Sequence, residues 1–474
     1  MKRREFIKRA GIFFSSGILS SLFLNNTLYI NTRPNIILII SDDAGYSDFG
    51  FNGGIEIPTP NLDNLAAEGV LCTQGYVTAS VCCPSRAGLI TGRYQQRFGA
   101  ECNVPTIPTP GFTKNDLGLD LSETTIADDL SRSGYRTMMI GKWHLGELPQ
   151  YHPLRRGFNE FYGFLGGSRS YWPIKNPPHG QAIYHNEKTI DEEKEIKYTT
   201  DNFTNAALDF IERNKNYPFF IYLSYNAVHT PLQAKEEDIE QFTKITPKKR
   251  RIYAAMTKSM DENIGRLIKK LKEYDLEKNT LIIFVNDNGG ATNNASVNKP
   301  LRGYKGTYWE GGIRVPFIIK WPGKLPAGKK YNSPVSTLDI FPTLLAAAGS
   351  KHFGKPLDGV NLLPYLRGEK KGEPHDYLFW RLWRVAAVRK GKWKLIRVAE
   401  NPLKKNRKLL LPLILVNLED DPAETKNVSE KYPEITKELL TALESWEKEL
   451  SQPRWYDGKN WQYWAEMQIK NHKF

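Results

Sequence analysis

Four times along this chain a short run of apolar residues stops abruptly at polar side chains. The run 36–40 (Ile-Ile-Leu-Ile-Ile) meets Ser41, Asp42 and Asp43, and the run 137–140 meets Gly141, Lys142, Trp143 and His144. The run 219–223 leads towards Asn226 and His229, and the run 281–285 meets Asn286, Asp287, Asn288 and Gly289. A strand with one wet face alternates apolar and polar residues. A continuous apolar run needs cover on both faces, as in a parallel sheet between layers of helices. Helical periodicity at 124–133, 201–214 and 249–274 supplies that cover, so the predicted fold class is α/β. In open α/β sheets, ligands bind beyond the carboxyl ends of the strands. Here those ends deliver Asp, Lys, His and Asn to one edge, which core packing does not require.

A chain of 474 residues exceeds what one small core organises. We expect a leader over 1–33, a large α/β domain over 34–370 and a smaller α+β domain over 371–474. Beyond the charged run 367–373, the segments 377–380, 385–389 and 393–397 read as short strands of a meander, and a helix follows near 432–450. The tail 451–474 is rich in Trp and Tyr and shows no clear period. At the other end, Lys2-Arg3-Arg4-Glu5-Phe6-Ile7-Lys8 reads as a twin-arginine export signal. The apolar stretch 10–24 behind it is short for a membrane span. The expected destination is the periplasm or the outside of the cell, through the twin-arginine export machinery. No Ala-x-Ala cleavage site precedes Arg33, so an uncleaved leader acting as a membrane anchor is the alternative.

The formal net charge is +14, and a basic protein attracts polyanions. No zinc-finger spacing, RNA-binding signature or basic zipper accompanies that charge, so nucleic acid is not the expected partner. The run Lys248-Lys249-Arg250-Arg251 opens an amphipathic helix with an apolar stripe of Tyr253, Met256, Met260, Ile264, Leu267 and Leu271, and reads as a solvated face. None of the four cysteines, Cys72, Cys82, Cys83 and Cys102, forms a C-x-x-C pair, which argues against zinc.

The densest chemical signal is Cys82-Cys83-Pro84-Ser85-Arg86-Ala87-Gly88-Leu89-Ile90-Thr91-Gly92-Arg93. It reads as a turn feeding a helix that starts at Pro84. Free N–H groups and the helix dipole at such a start favour anions, and a cysteine there is expected to be acidified. Arg86 offers a planar fork for paired oxygens. These features alone describe an anion site with a reactive thiol.

Cys-x-Pro-Ser-Arg followed by Leu-x-Thr-Gly-Arg resembles the signature of the formylglycine-dependent sulfatases. Further segments match that family in order: Asp42-Asp43, Gly141-Lys142-Trp143-His144-Leu145-Gly146, His229-Thr230-Pro231, Asp287-Asn288-Gly289, and Lys305 before Glu310-Gly311-Gly312. The resemblance covers most of the chain and implies the fold of the alkaline phosphatase superfamily, a large mixed sheet sandwiched by helices. It implies that Cys82 is oxidised to formylglycine by a separate formylglycine-generating enzyme and that its hydrate attacks sulfur. Asp42, Asp43, Asp287 and Asn288, with position 82, match the metal ligands. An all-oxygen set favours Ca²⁺, with Mg²⁺ as the alternative. By the same resemblance, Arg86, Lys142 and Lys305 hold the nucleophile and the sulfate group. His229 protonates the leaving oxygen, and His144 takes the proton that lets sulfate leave. Each residue has an ordinary structural alternative: Asp42 as a cap, Asp287-Asn288-Gly289 as a turn, the lysines as surface groups. The shared order of five segments favours a single site.

The expected activity is hydrolysis of sulfate esters, with a sulfated carbohydrate as the expected substrate. Two alternatives are a phosphonate monoester or phosphodiester hydrolase of the same superfamily, and a polyanion-binding protein whose Cys82 stays unmodified. The opening of the segment 147–200, residues 150–163, resembles the arylsulfatase and N-acetylgalactosamine-6-sulfatase branch. That segment, with Tyr151, His152, Arg155, Arg156, Arg169, Tyr171 and Trp172, is expected to shape the substrate pocket. Trp380, Arg381, Trp383 and Arg384 are expected to reach it from the smaller domain. Arg156, Trp172 and Arg381 are the chosen substrate contacts.

Overall fold

The computed structural model describes residues 33–474 except 106, 107, 109, 110, 401–407 and 457–460, and gives the backbone alone for 461–465. The export leader read over 1–33 therefore lies, save Arg33, outside the described residues.

The strands, in chain order, are β1 (Asn35–Ser41), β2 (Val70–Cys72), β3 (Gly75–Tyr76), β4 (Arg136–Lys142), β5 (Glu160–Phe164), β6 (Tyr184–His185), β7 (Lys188–Thr189), β8 (Phe219–Ser224) and β9 (Thr280–Asn286). They continue with β10 (Arg314–Val315), β11 (Phe317–Lys320), β12 (Lys329–Tyr331), β13 (Val335–Ser336), β14 (Leu378–Leu382), β15 (Val385–Lys390), β16 (Trp393–Val398) and β17 (Ile414–Asn417). Ten of them form one sheet in the order β12-β2-β11-β9-β1-β8-β4-β5-β6-β7. Its centre, β9-β1-β8-β4-β5, is parallel throughout. The four apolar runs are therefore its four inner strands. Successive residues of β1 serve opposite cores: Ile36, Leu38 and Ile40 face one hydrophobic layer, Ile37 and Ile39 the other. All five are fully buried, which explains why the runs do not alternate.

The helix Lys248–Glu273 buries the whole stripe Tyr253, Met256, Met260, Ile264, Leu267 and Leu271 against one face. Its basic opening is not wholly solvated. Arg250 is buried and paired with Asp48 at 2.7 Å and Glu56 at 2.7 Å, because its guanidinium lies over the loop that follows β1. The antiparallel sheet β14-β15-β16-β17 follows with the helix Pro433–Glu447 against it. The side chains of Trp380, Leu382 and Ile396 join the same core as Ile36 and Leu38. The tail departs from its expected lack of period: Trp461–Asn471 is a helix. No helix among the described residues is long and apolar enough to cross a membrane.

Candidate active site

Beyond β1 and β4 the chain bends at once. Asp43 has φ +59° and His144 φ +58°, left-handed values that non-glycine residues adopt rarely and that cluster at functional sites. The strand ends are laced together to hold these bends. The Asp42 N–H donates to the Ala227 carbonyl at 2.9 Å, Val228 N–H to Asp42 at 2.8 Å, and Asp287 N–H to Ser41 at 3.1 Å.

The helix Cys82–Thr91 comes up against this edge, and every one of its residues is buried. It starts at Cys82, two residues before Pro84, so Cys82 occupies the first helical position. Cys82 Sγ lies 3.7 Å from Asp42 Oδ1 and 3.9 Å from Asp43 Oδ1, and Lys305 Nζ donates to it at 3.1 Å. The expected acidification of this thiol does not hold. Burial pushes it up, outweighing the pull of Lys142 and Lys305.

Charges alternate around the sulfur. Lys142 Nζ donates to Asp42 Oδ2 at 2.6 Å, and Lys305 Nζ to Asp43 Oδ2 at 2.8 Å. Arg86 is fully buried, and its Nε and Nη2 both donate to Asp287 Oδ2, at 3.0 and 2.8 Å. Its Nη1 donates to the Lys142 carbonyl at 3.2 Å and to the Ser224 hydroxyl. Arg86 thus ties the ends of β4, β8 and β9 to the helix. Burial alone would raise the Asp42 carboxyl. Lys142, His229, Arg86 and Lys305 reverse this and hold it well below the usual carboxylate range.

The two histidines differ. Nδ1 of His229 lies 2.7 Å from the Thr230 carbonyl, which only accepts, so Nδ1 carries a proton and Nε2 faces Asp43 Oδ2 at 3.5 Å. The Tyr171 hydroxyl donates to the His229 carbonyl at 2.9 Å and steadies that loop. His144 is pushed well down, first by burial and then by Lys142 and Arg86, and stays neutral. Its ring lies against Gly167, where an added Cβ would meet Nε2 at 2.6 Å.

The acidic cluster suits a cation. Asp42, Asp43, Cys82 and His229 each present a ligand atom, all within 4.8 Å of one another. Asn288 Nδ2 donates to Asp43 Oδ1 at 2.7 Å, while its buried Oδ1 has no hydrogen-bond partner. An amide oxygen buried without a donor, beside three carboxylates, is what an oxygen-ligated cation would satisfy. Asp42, Asp43, Asp287 and Asn288 therefore fit a hard divalent ion.

A cavity of about 470 Å³ opens onto this floor through Asp43, His229 and Lys305. Its walls include Asn103, Thr292, Asn293, Tyr304, Trp383, Tyr456, Met467, Gln468 and Asn471. None of the three chosen substrate contacts lines it. Arg156 is buried and donates Nη2 to the carbonyls of Asp120 at 3.1 Å and Glu123 at 2.8 Å. Arg381 is fully buried and ion-paired with Glu101. Trp172 packs on Tyr198 with ring centroids 5.0 Å apart. In sequence the two arginines read as substrate contacts because their partners lie far along the chain. Of the aromatic residues named from the smaller domain, Trp383 does reach the cavity. The walls drawn from 291–293 and 451–474 carried no motif; the aromatic richness of the tail was their one signal.

The Sulfatase family model matches residues 34–350, and the model for the C-terminal region of N-sulphoglucosamine sulphohydrolase matches 304–449. The chain is 34% identical to arylsulfatase J of Mus musculus, over 88% of this chain and 76% of that protein. It is 33% identical to N-acetylgalactosamine-6-sulfatase of Mus musculus, over 76% of this chain and 71% of that protein. Among solved structures, Ps i-CgsB in complex with k-i-k-neocarrahexaose superposes with a TM-score of 0.82 at 37% identity, covering 93% of this chain and 99% of that one. Strand ends, signature helix and matched models all converge, and the chain belongs to the sulfatase family of sulfuric ester hydrolases.

Proposed function

We propose that this sulfatase acts on a sulfated carbohydrate, with an oxidised Cys82 as nucleophile and a divalent cation held by Asp42, Asp43, Asp287 and Asn288. The observation that carries the reading is the meeting of Cys82 Sγ, two carboxylates and Lys305 at the floor of one cavity. The carbohydrate class rests on Ps i-CgsB, a relative seen with neocarrahexaose. In this reading, Sγ marks the place of the attacking oxygen of the formylglycine hydrate.

Lys142 and Lys305 sit on either side of that point and neutralise sulfate oxygens. Arg86 has its donors occupied by Asp287, Lys142 and Ser224, so it holds the frame rather than the ligand. His229, with Nδ1–H fixed on the Thr230 carbonyl, acts as the acid in its doubly protonated form, passing the Nε2 proton to the leaving oxygen. His144, kept neutral by its surroundings, is the base that takes a proton from position 82. The cation, when bound, supplies stabilisation of the negative charge that develops on oxygen. Export by the twin-arginine route remains part of the proposal and rests on the segment Lys2-Arg3-Arg4-Glu5-Phe6-Ile7-Lys8 and the apolar stretch 10–24 behind it; fractionation of the native host tests it.

Mass spectrometry of the fragment ending at Arg86, from protein made with a formylglycine-generating enzyme, tests the nucleophile. An aldehyde or its hydrate at position 82 supports the reading, and an intact thiol in active protein sinks it. Dialysis against a chelator is expected to abolish sulfate release and to lower the thermal midpoint, because clustered carboxylates then repel one another. Ca²⁺ is expected to restore both, and a midpoint indifferent to chelator would remove the cation from the proposal.

Gly167→Ala supplies a further check. The new Cβ cannot coexist with the His144 ring at 2.6 Å, so the ring must shift. A shift of that kind is expected to lower kcat by about 10- to 100-fold with a near-normal melting curve. Unchanged kcat would argue against His144 as the base.

A further inference from the structure

The walls of the cavity above Lys305 and His229 carry no charged side chain among the residues that line it: they are Asn103, Thr292, Asn293, Tyr304, Trp383, Tyr456, Gln468 and Asn471, with small and apolar groups between. The cations that neutralise a sulfate lie at the floor. What lines the space above that floor is an aromatic pair, Trp383 and Tyr456, at a centroid distance of 4.5 Å, together with the carboxamides of Asn103, Asn293, Gln468 and Asn471. Aromatic faces and amides are the groups that meet the C–H face and the hydroxyls of a sugar ring. They offer no positive charge to a second sulfate.

Four of the residues lining the cavity come from the tail. Both matched family models stop at or before residue 449, yet Tyr456, Met467, Gln468 and Asn471 line the cavity. The tail is fastened on both sides of its helix. Before the helix, Ser451 N–H donates to Gln96 at 3.1 Å, Arg454 N–H to Gly99 at 2.9 Å, and buried Trp455 donates Nε1–H to the Cys102 carbonyl at 2.9 Å. At its end, Tyr308 N–H donates to His472 Nε2 at 2.9 Å, Trp309 Nε1–H to the Asn471 carbonyl at 2.9 Å, and Arg302 to the Lys473 carbonyl at 3.1 Å. The second set of bonds grips the very segment that carries Lys305. Trp383 is fixed as well: its N–H donates to Glu101 at 3.2 Å, and Glu101 is held by Arg381.

We infer that Trp383 and the tail residues Tyr456, Gln468 and Asn471 form an uncharged sugar-binding subsite, which recognises the ring that carries the scissile sulfate and sets the specificity of this chain. The inference rests on the sulfated-carbohydrate reading above. The test compares two substrates, 4-nitrophenyl sulfate and a panel of sulfated oligosaccharides that includes neocarrahexaose. The variants are Trp383→Ala, Gln468→Ala and Asn471→Ala, with Arg213→Ala, a surface residue paired with Glu160, as the control. Each wall variant is expected to lose at least about tenfold more kcat/KM on the oligosaccharide than on the aryl sulfate, chiefly through KM. Equal losses on both substrates, or no loss on either, overturn the subsite and leave the sulfatase reading standing. If the unaltered enzyme turns over the aryl sulfate but no saccharide of the panel, the carbohydrate reading falls and the subsite with it.

Discussion

Cys82→Ala is expected to lower kcat for sulfate release by at least about four orders of magnitude, the usual cost of removing a covalent nucleophile. The fold should survive. The side chain is small and buried, and what surrounds it is a set of ion pairs that do not depend on it: Lys142 with Asp42, Lys305 with Asp43, Arg86 with Asp287. Cys83→Ala is the matched control. Cys83 points into the core beside Ala87 and Leu89, so its loss should cost about 1 kcal/mol of stability with kcat preserved. Turnover measured on purified protein, beside a melting curve, separates the two. If the Cys82 variant kept a few per cent of activity, position 82 would not carry the nucleophile.

Asp287→Ala should be the most damaging single change to stability at the site. Asp287 is the sole carboxylate within hydrogen-bond reach of Arg86, and both are buried completely or nearly so. Removing it leaves a buried guanidinium with a carbonyl, a hydroxyl and the more distant Asp42 carboxylate at 3.7 Å, at an expected cost of about 3 kcal/mol. Denaturant titration should show a lower midpoint, and kcat should fall with it because β4, β8 and β9 lose their common tie. The double variant Arg86→Met/Asp287→Leu removes both charges and should recover much of the stability without recovering activity. Recovery of activity in that variant would show that the pair is dispensable scaffolding.

The parallel centre of the sheet was legible because burial on both faces leaves a one-dimensional trace: runs of four or five residues with no alternation. The polar clusters at the strand ends were legible for a related reason, since nothing in a core explains them. The strands β2, β11 and β12, joined to the centre through the antiparallel β11, left no such trace, being three to four residues long. Arg156 and Arg381 show the limit more sharply. A lone arginine in sequence looks like a cation seeking an anion, whereas in the fold it is neutralised by Glu101 or occupied with carbonyls of Asp120 and Glu123. The cavity walls were hidden for the same reason: Trp383 and Gln468 line one cavity only because the tail is bonded back to Gln96–Cys102 and Arg302–Trp309. The direction of the Cys82 thiol was misjudged because a helix start was weighed without its burial.

The helix Cys82–Thr91 has no exposed residue, and Cys82 itself is 1% exposed. Such a cysteine is out of reach of any second protein once the chain has closed over it. If a separate enzyme oxidises it, that enzyme must meet residues 82–86 as an extended peptide, so modification is a race against folding. Slowing the collapse of the nascent chain would then raise the fraction converted, and a fast-folding variant would emerge well folded, fully bound in its ion pairs, and inert.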